Sequence, residues 1–265
     1  MAILHNIYFS AKGTTKICAE HIAKNLHMTT SSSNWLTSPC DIPTELGEND
    51  VLLFSMPVYG GFIPQICARM ADNLKGNNTP AIIAGIYGNR HYDNALLQMK
   101  DILTQRGFRV IAAGAFLAEH SIFPSVAAGR PDEKDKAAMA EFAAVCRTML
   151  ESSDDYEEIS LPGNPAYDAS VFKGAALKPE GSDLCIECGV CIAICPVDAI
   201  KPDNWRETDR ERCMSCGACI HACPVGARDY HGEAYEQAKV GFEKRCAEYR
   251  LPETFFCKKK AGDEL

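Results

Sequence analysis

The chain has 265 residues, of which 46% are hydrophobic, and a formal net charge of −8 at pH 7. This acidic balance disfavours a nucleic-acid partner, and no apolar run in the sequence is long enough to span a membrane. The amino terminus lacks the features of a secretory signal. We therefore expect a cytoplasmic protein, in which fourteen cysteines indicate thiolate chemistry rather than disulfides.

The first predicted elements are a buried strand at 3–9 and a helix that follows residue 15, with apolar side chains at helical spacing. The polar loop 10–15 lies between them. Free N–H groups at the helix start and the helix dipole favour an anion such as phosphate, and the hydroxyls of Ser10, Thr14 and Thr15 can add hydrogen bonds. An ordinary capped turn explains the loop equally well, because it is neither a Walker A loop nor a G-x-G-x-x-G turn.

Strands alternate with helices through residue 150. Such alternation predicts a doubly wound parallel sheet, in which ligands bind at the carboxyl ends of the strands. The loops at 10–15, 56–62 and 87–93 leave those ends and are expected to surround one site. The further strands are predicted at 27–32, 50–55, 80–86 and 110–117, and the further helices at 64–74, 94–106 and 133–150.

The composition changes after residue 151, where acidic residues and then prolines and glycines indicate a connector. Three consecutive lysines at 258–260 are typical of a disordered, solvated terminus. We predict an α/β domain at 1–152, a connector at 153–179, a cysteine-rich domain at 180–232, and a helix with a tail at 233–265.

Eight cysteines form two copies of the motif C-x2-C-x2-C-x3-C-P, which begin at Cys185 and Cys213. The copies are offset by 28 residues, and 9 of the 16 aligned positions from Cys185/Cys213 to Ile200/Arg228 are identical. Two residues between cysteines let successive thiolates converge on one cluster. Tandem zinc sites also use C-x2-C pairs, but they do not need the third cysteine step or the final C-P. A disulfide scaffold is unnecessary in a chain of this length.

Bacterial ferredoxins hold [4Fe–4S] clusters with this run, and the tandem copies resemble the two-cluster ferredoxin family. The resemblance implies a small α+β domain with two [4Fe–4S] clusters, in which the fourth cysteine of each run ligates the cluster of the other run. It implies one ligand set of Cys185, Cys188, Cys191 and Cys223, and a second of Cys213, Cys216, Cys219 and Cys195.

Residues 1 to about 150 resemble flavodoxins, which hold FMN with three loops at these positions. The resemblance implies an α/β flavodoxin-like fold of strand order 2-1-3-4-5, with the phosphate on the first loop and the flavin ring between the second and third. Tyr59 and Tyr92 are expected to stack on or flank the ring, although either can also be a core residue. The residues implied in FMN binding are Ser10, Lys12, Gly13, Thr14, Thr15, Pro57, Val58, Tyr59, Gly60, Gly88, Asn89, Arg90, His91 and Tyr92.

Three positions depart from the flavodoxin pattern. Lys12 replaces a usual hydroxyl and can supply positive charge to the phosphate. Arg90 and His91 lie where many flavodoxins have acidic residues around the flavin. A cation close to the reduced flavin stabilises its negative charge, so we expect a less negative flavin potential. If both side chains point into solvent, screening removes most of this effect.

The whole chain resembles proteins of anaerobes that fuse a flavodoxin-like domain to a two-cluster ferredoxin. The resemblance implies a cytoplasmic electron carrier that transfers electrons between two [4Fe–4S] clusters and FMN. Its expected partners are redox proteins such as ferredoxins, flavodoxins or oxidoreductases. Two alternatives stay open: a ferredoxin-fed reductase that acts on a small substrate or oxygen at the flavin, and a redox sensor. The sequence lacks a nicotinamide-binding turn and a substrate domain, which favours the carrier, and it leaves a homodimer open.

Overall fold

The computed structural model describes residues 2–38, 45–152, 155–172 and 174–260. In the amino-terminal part, strands alternate with helices as predicted. The strands are β1 Leu4–Tyr8, β2 Thr30–Asn34, β3 Glu45–Leu46, β4 Val51–Pro57, β5 Lys75–Gly76, β6 Thr79–Tyr87 and β7 Phe108–Leu117, and the helices are α1 Thr14–Leu26, α2 Gln65–Ala71, α3 Ala95–Gln105 and α4 Glu133–Glu151.

The carboxyl-terminal part has shorter elements. A single 3-10 turn, Ala169–Val171, lies in the predicted connector. The elements that follow are β8 Glu180–Gly181, α5 Val190–Ala193, α6 Ala218–His221, β9 Arg228–Asp229, α7 Glu233–Arg245 and β10 Glu253–Phe256. No helix in the described ranges has the length and hydrophobicity needed to cross a bilayer.

The central sheet has the order β10-β7-β6-β4-β1-β2. The five strands from β7 to β2 are parallel, and β3 pairs with β5 in a separate small sheet. When the five long parallel strands are counted alone, their order is the expected 2-1-3-4-5. This is a flavodoxin-like fold, because the order reverses beside the first strand.

Apolar side chains cover both faces of the central strands. Every residue of β4 is buried, as are all but one in each of β6 and β7. Parallel strands with helices on both faces have this composition, because neither face meets water. The edge strand β2, with the sequence Thr-Ser-Ser-Ser-Asn, is mostly exposed, which explains why its apolar pattern is weak in the sequence.

The carboxyl-terminal tail returns to the amino-terminal sheet. β10 pairs antiparallel with β7, and Phe256 packs against Phe142 on α4 with ring centroids 5.6 Å apart. The expected disordered end at 258–260 is exposed but ordered: the Lys260 backbone N–H donates to Asp155 O at 2.9 Å. The sequence analysis missed this strand, which covers the otherwise unpaired edge of β7.

The two cysteine runs fold alike. Gly189 and Gly217 precede α5 and α6 with φ of 79° and 77°, a left-handed conformation that glycine adopts without a steric penalty. β8 and β9 pair antiparallel beside them. The sequence repeat is therefore also a repeat of local structure.

A buried ion pair fixes the start of α4. Arg130 makes two hydrogen bonds to Asp135, one of them at 2.7 Å, and their side chains are 5% and 0% exposed. We expect Asp135→Ala to lower the free energy of unfolding by about 3–5 kcal/mol, because it leaves a buried guanidinium without its partner. Urea unfolding followed by far-UV circular dichroism measures this change.

Glu133→Ala is the matched control for this substitution. It removes an exposed carboxylate from the same helical turn, where Glu133 pairs with Lys136, and should leave stability nearly unchanged. Equal losses in the two variants would contradict a special role for the buried pair.

Candidate functional site

A cavity of about 420 Å³ lies at the carboxyl ends of the central strands. It is located beside β1 and β4, where the strand order reverses, which is the usual ligand position in such sheets. Its volume is within the range of cofactor pockets. All three predicted loops contribute to its wall, and so do residues from 118–123, 172–177, 214–215 and 238–245, which sequence analysis did not assign.

The first loop presents the start of α1 to this cavity. Gly13 precedes the helix with φ of 98° and has no side chain to cap it, so the N–H groups of Thr14 and Thr15 are free for a ligand. Thr14 and Thr15 line the cavity. The Ser10 hydroxyl instead accepts a hydrogen bond from the Lys16 N–H at 3.0 Å and thereby shapes the loop. An anion such as a phosphate fits this donor set.

Lys12 makes a different contact from the expected one. Its ammonium lies 2.5 Å from Glu119 Oε1 and 3.2 Å from His120 O. Burial raises the pKa of Glu119, but hydrogen bonds from Lys12 and the Gly129 N–H outweigh it and hold that pKa below its usual value. The charge of Lys12 is therefore offset by a carboxylate in the cavity wall, and the pair joins the first loop to the loop after β7.

Most of the residues predicted in the second and third loops line the cavity. Asn89 and Tyr92 do not. The Tyr92 ring is 2% exposed and its hydroxyl donates to Glu253 on β10 at 2.8 Å, while the Asn89 amide donates to the carbonyls of Cys246 and Glu248. Both side chains hold the carboxyl-terminal segment, and neither residue lines the cavity. The expected approach of the backbone N–H groups around Asn89 to a flavin stays a prediction. The predicted residues of these loops that line the cavity are Pro57, Val58, Tyr59, Gly60, Gly88, Arg90 and His91.

The charges of the third loop are paired within the loop. Arg90 forms an ion pair with Asp93, and His91 Nδ1 lies 2.9 Å from the Asp93 N–H, which donates to it. The Asp93 carboxylate offsets the positive charge expected from Arg90, so the premise of a free cation beside the flavin is weakened.

His120 belongs to a fourth loop of the cavity wall, the one that follows β7, which sequence analysis missed. Its Nδ1 accepts the N–H groups of Ile122 and Phe123, each at 3.1 Å, so the neutral ring carries its proton on Nε2. Burial, followed by the charges of Lys12 and Arg90, lowers the pKa of His120 to about 4. No motif marks this loop, and only its position after β7 could have indicated it.

The connector and the second cysteine run close the cavity from the other side. A side chain at Gly60 would overlap the Phe172 ring, so this connector residue packs directly on the second loop. Met214 and Ser215, between two cysteines of the second run, also line the cavity. The wall is therefore built from both halves of the chain.

The cysteines of the first predicted ligand set converge. Cys185, Cys188, Cys191 and Cys223 all line one small cavity. In the described part of the chain, no group of three or more His, Cys, Asp or Glu side chains is arranged around a single metal ion. Four thiols around a cavity suit a cluster of several iron atoms, whose corners each take one thiolate.

The second predicted set is more deeply buried. Burial, together with the negative charge of neighbouring cysteines that include Cys195, raises the pKa of Cys216 to about 12 and that of Cys219 to about 11. Cys195 therefore lies within electrostatic range of the second run. Thiols crowded in this way become thiolates only when cations such as iron compensate their charge.

Comparisons with known proteins agree with this geometry in the cysteine-rich part. Residues 184–227 match the family model described as a 4Fe-4S dicluster domain. Over 38 residues the chain is 67% identical to Ferredoxin-1 of Caulobacter vibrioides, which covers 14% of this chain and 34% of that protein. The match thus spans about a third of the relative's length.

The chain is also similar to solved flavodoxin structures. A flavodoxin from the domain Archaea has 14% identity and a TM-score of 0.41, and Flavodoxin 1 from Bacillus cereus has 16% and 0.40. Each match covers 57% of this chain and 100% of the other. An NADH:FMN oxidoreductase has 14% identity and a TM-score of 0.41, over 58% of this chain and 92% of that one. Because these TM-scores are below 0.5, the fold assignment rests on the strand order.

The chain joins a flavodoxin-like domain to a 4Fe–4S dicluster domain. This combination supports electron transfer with flavin and iron–sulfur groups. In the dicluster domain, backbone N–H groups donate to the fourth cysteine of each run: Ala199 N to Cys195 Sγ and Ala227 N to Cys223 Sγ, both at 3.2 Å. Such bonds to sulfur are among the features that set cluster potentials.

The His120 ring provides a test of the cavity in solution. Because its folded pKa of about 4 lies below the ordinary value of 6.5, His120 contributes stability above pH 6.5 that is lost as the pH falls toward 4. Between pH 8 and 5.5, nitrogen-15 NMR of the ring should show a neutral imidazole protonated on Nε2. The His120→Gln variant identifies the resonance, and a titration midpoint near 6.5 would contradict the buried position.

Proposed function

We propose that this protein relays electrons between two [4Fe–4S] clusters and one FMN. The observation that carries the proposal is the position of Met214 and Ser215. These residues lie between Cys213 and Cys216 in the second ligand set and also form part of the wall of the flavin cavity. A cluster held by that set is consequently adjacent to a flavin held in the cavity. When bound, a cluster exchanges one electron at a time, whereas a flavin accepts one or two.

The cavity supports FMN as the flavin. A phosphate is accommodated by the uncapped start of α1 and the hydroxyls of Thr14 and Thr15. Tyr59 and the apolar side chains of Phe123 and Phe172 offer surfaces for a flat aromatic ring. His120 Nε2–H supplies a donor in the same wall.

The two ligand sets have different exposure, which suggests an order for the relay. Cys188 of the first set is exposed, as are the apolar side chains of Leu184 and Ile186 beside it. Cys213, Cys216 and Cys219 of the second set are buried. The first set therefore serves as the outer site, which meets redox partner proteins, and the second as the inner site, which faces the flavin.

The apolar lining of the cavity favours a carrier over a reductase. Phe172 and Leu177 of the connector and Phe242 of α7 are among the side chains that line it, and they reduce the room for a small substrate beside the ring.

We assign residues 1–152 to the flavin domain, 153–179 to the connector and 180–232 to the cluster domain. The segment 233–265 follows, and its described part completes both the cavity wall and the sheet.

The cluster assignment is tested with Cys216→Ala. Protein prepared without oxygen should contain about 8 iron and 8 sulfide per chain, and the variant should lose at least half of both. Reduced ferredoxin should bleach the flavin of the wild type rapidly and that of the variant at least tenfold more slowly, because the inner site is lost. Stopped-flow absorbance measures both rates.

Cys146→Ala is the control, since it removes a buried cysteine on α4 that lies outside both runs. It should keep the full iron content and the fast rate. Zinc in place of iron would refute the cluster assignment, and rapid bleaching by NADH alone would favour the reductase.

The flavin assignment is tested with Thr15→Ala. A hydrogen bond to a charged acceptor contributes about 1.5–3 kcal/mol, so the variant should bind FMN at least tenfold more weakly. Thr148→Ala, on the exposed side of α4, should leave the affinity unchanged. Fluorescence titration of flavin-free protein measures the affinity, and a preference for FAD or an unaltered Thr15→Ala variant would contradict the phosphate position.

A further inference from the structure

Arg228, the first residue of β9, is a buried cation without a protein counter-ion. Its side chain is 2% exposed. The guanidinium donates to Trp205 O at 2.6 Å, to Pro179 O at 2.9 Å and to the Thr208 hydroxyl. Within the described ranges no carboxylate forms an ion pair with it, and its Nε–H has no hydrogen-bond partner. All the acceptors it does have are neutral.

A guanidinium in this position is costly unless an anion is close. Removal of an ion from water costs several kcal/mol even after relaxation of the protein. Carbonyl and hydroxyl oxygens satisfy N–H groups but do not neutralise the charge. The side chain and its free Nε–H therefore indicate a negative group that no carboxylate in the described part of the chain supplies.

Arg228 lies beside cysteines of both ligand sets. It lines the same cavity as Cys185, Cys188, Cys191 and Cys223 of the first set. β9, which begins with Arg228, also contacts α6, the helix that carries Cys219 of the second set. One cation thus acts on both predicted cluster sites.

The sequence repeat shows that this cation is not required by the local fold. Arg228 is aligned with Ile200, which occupies the matching position after the first run and is 3% exposed. An apolar side chain fills one position and a charged one fills the other. Because Ile200 packs at the matching position without a charge, packing alone does not explain why residue 228 is an arginine.

We propose that Arg228 is the shared counter-ion of the two clusters and raises the reduction potential of both. The proposal rests on the proposed function, which supplies the clusters. Reduction adds one electron and one negative charge to a cluster, while no bond forms or breaks and Arg228 keeps its proton. A fixed cation stabilises the added charge, and net charge and hydrogen bonds to sulfur are known determinants of cluster potentials.

The test compares Arg228→Gln with Arg228→Lys and with the control Arg206→Gln. Arg206 lies in the same domain with an exposed side chain paired to Asp183, so its loss changes the net charge equally. Each protein is titrated with a chemical reductant, and both clusters are followed by electron paramagnetic resonance. Arg228→Gln should lower both potentials, with the larger fall corresponding to at least tenfold in the equilibrium, or ~59 mV. Arg228→Lys and Arg206→Gln should stay within twofold of the wild type.

The outcomes separate this proposal from the proposed function. Fewer than two clusters in the wild type, by iron and sulfide assay, would contradict the proposed function itself. Two clusters with potentials unmoved in Arg228→Gln, or lowered equally in Arg206→Gln, would overturn the role of Arg228 alone. If Arg228→Gln fails to assemble its clusters, Arg228→Lys decides. If Arg228→Lys retains both clusters with near-native potentials, the positive charge is what matters at this position. Loss of the clusters, or a fall in potential that corresponds to tenfold in the equilibrium, would overturn the counter-ion role.

Discussion

One turn, Cys213–Cys216, brings the second cysteine run to the cavity at the edge of the amino-terminal sheet. Ser215 Oγ lies 2.9 Å from Leu177 O and 3.2 Å from Ala175 O in the connector, and the Tyr230 hydroxyl donates to Ser215 O at 2.9 Å. These contacts hold the turn in the wall of the flavin cavity. Because electron transfer depends on the distance between the groups, these hydrogen bonds matter directly to the proposed relay.

Short sequence patterns predicted those parts of the site whose geometry is set by residues close together in the chain. The cysteine runs carry their own geometry, since Gly189, Gly217 and the N–H groups beside each sulfur belong to the motif. The first loop also followed from its sequence, because an uncapped helix start after Gly13 is a local property. Prediction of the strand order required only the alternation of strands and helices and the resemblance to flavodoxins.

Other features depend on contacts between distant parts of the chain and left no signal in the sequence. Tyr92 and Glu253 are 161 positions apart, so nothing near Tyr92 indicates that its hydroxyl is occupied by the tail. His120 enters the cavity only because the turn after β7 curls back over it. Lys12 was correctly placed at the cavity but not paired, since Glu119 lies 107 positions away. Tyr92 and Lys12 are thus side chains that looked free for a ligand but are held by the protein itself.

The pairing of β10 with β7 has a consequence for biosynthesis. A ribosome delivers the chain from its amino terminus, and domains generally fold in that order. The flavodoxin-like domain is therefore synthesised long before residues 253–256 emerge, and the edge of β7 remains open while all eight cysteines of the two runs are being added. The sheet is completed only after the dicluster segment has left the ribosome. A nascent chain thus has an interval in which its exposed edge needs protection from other strands.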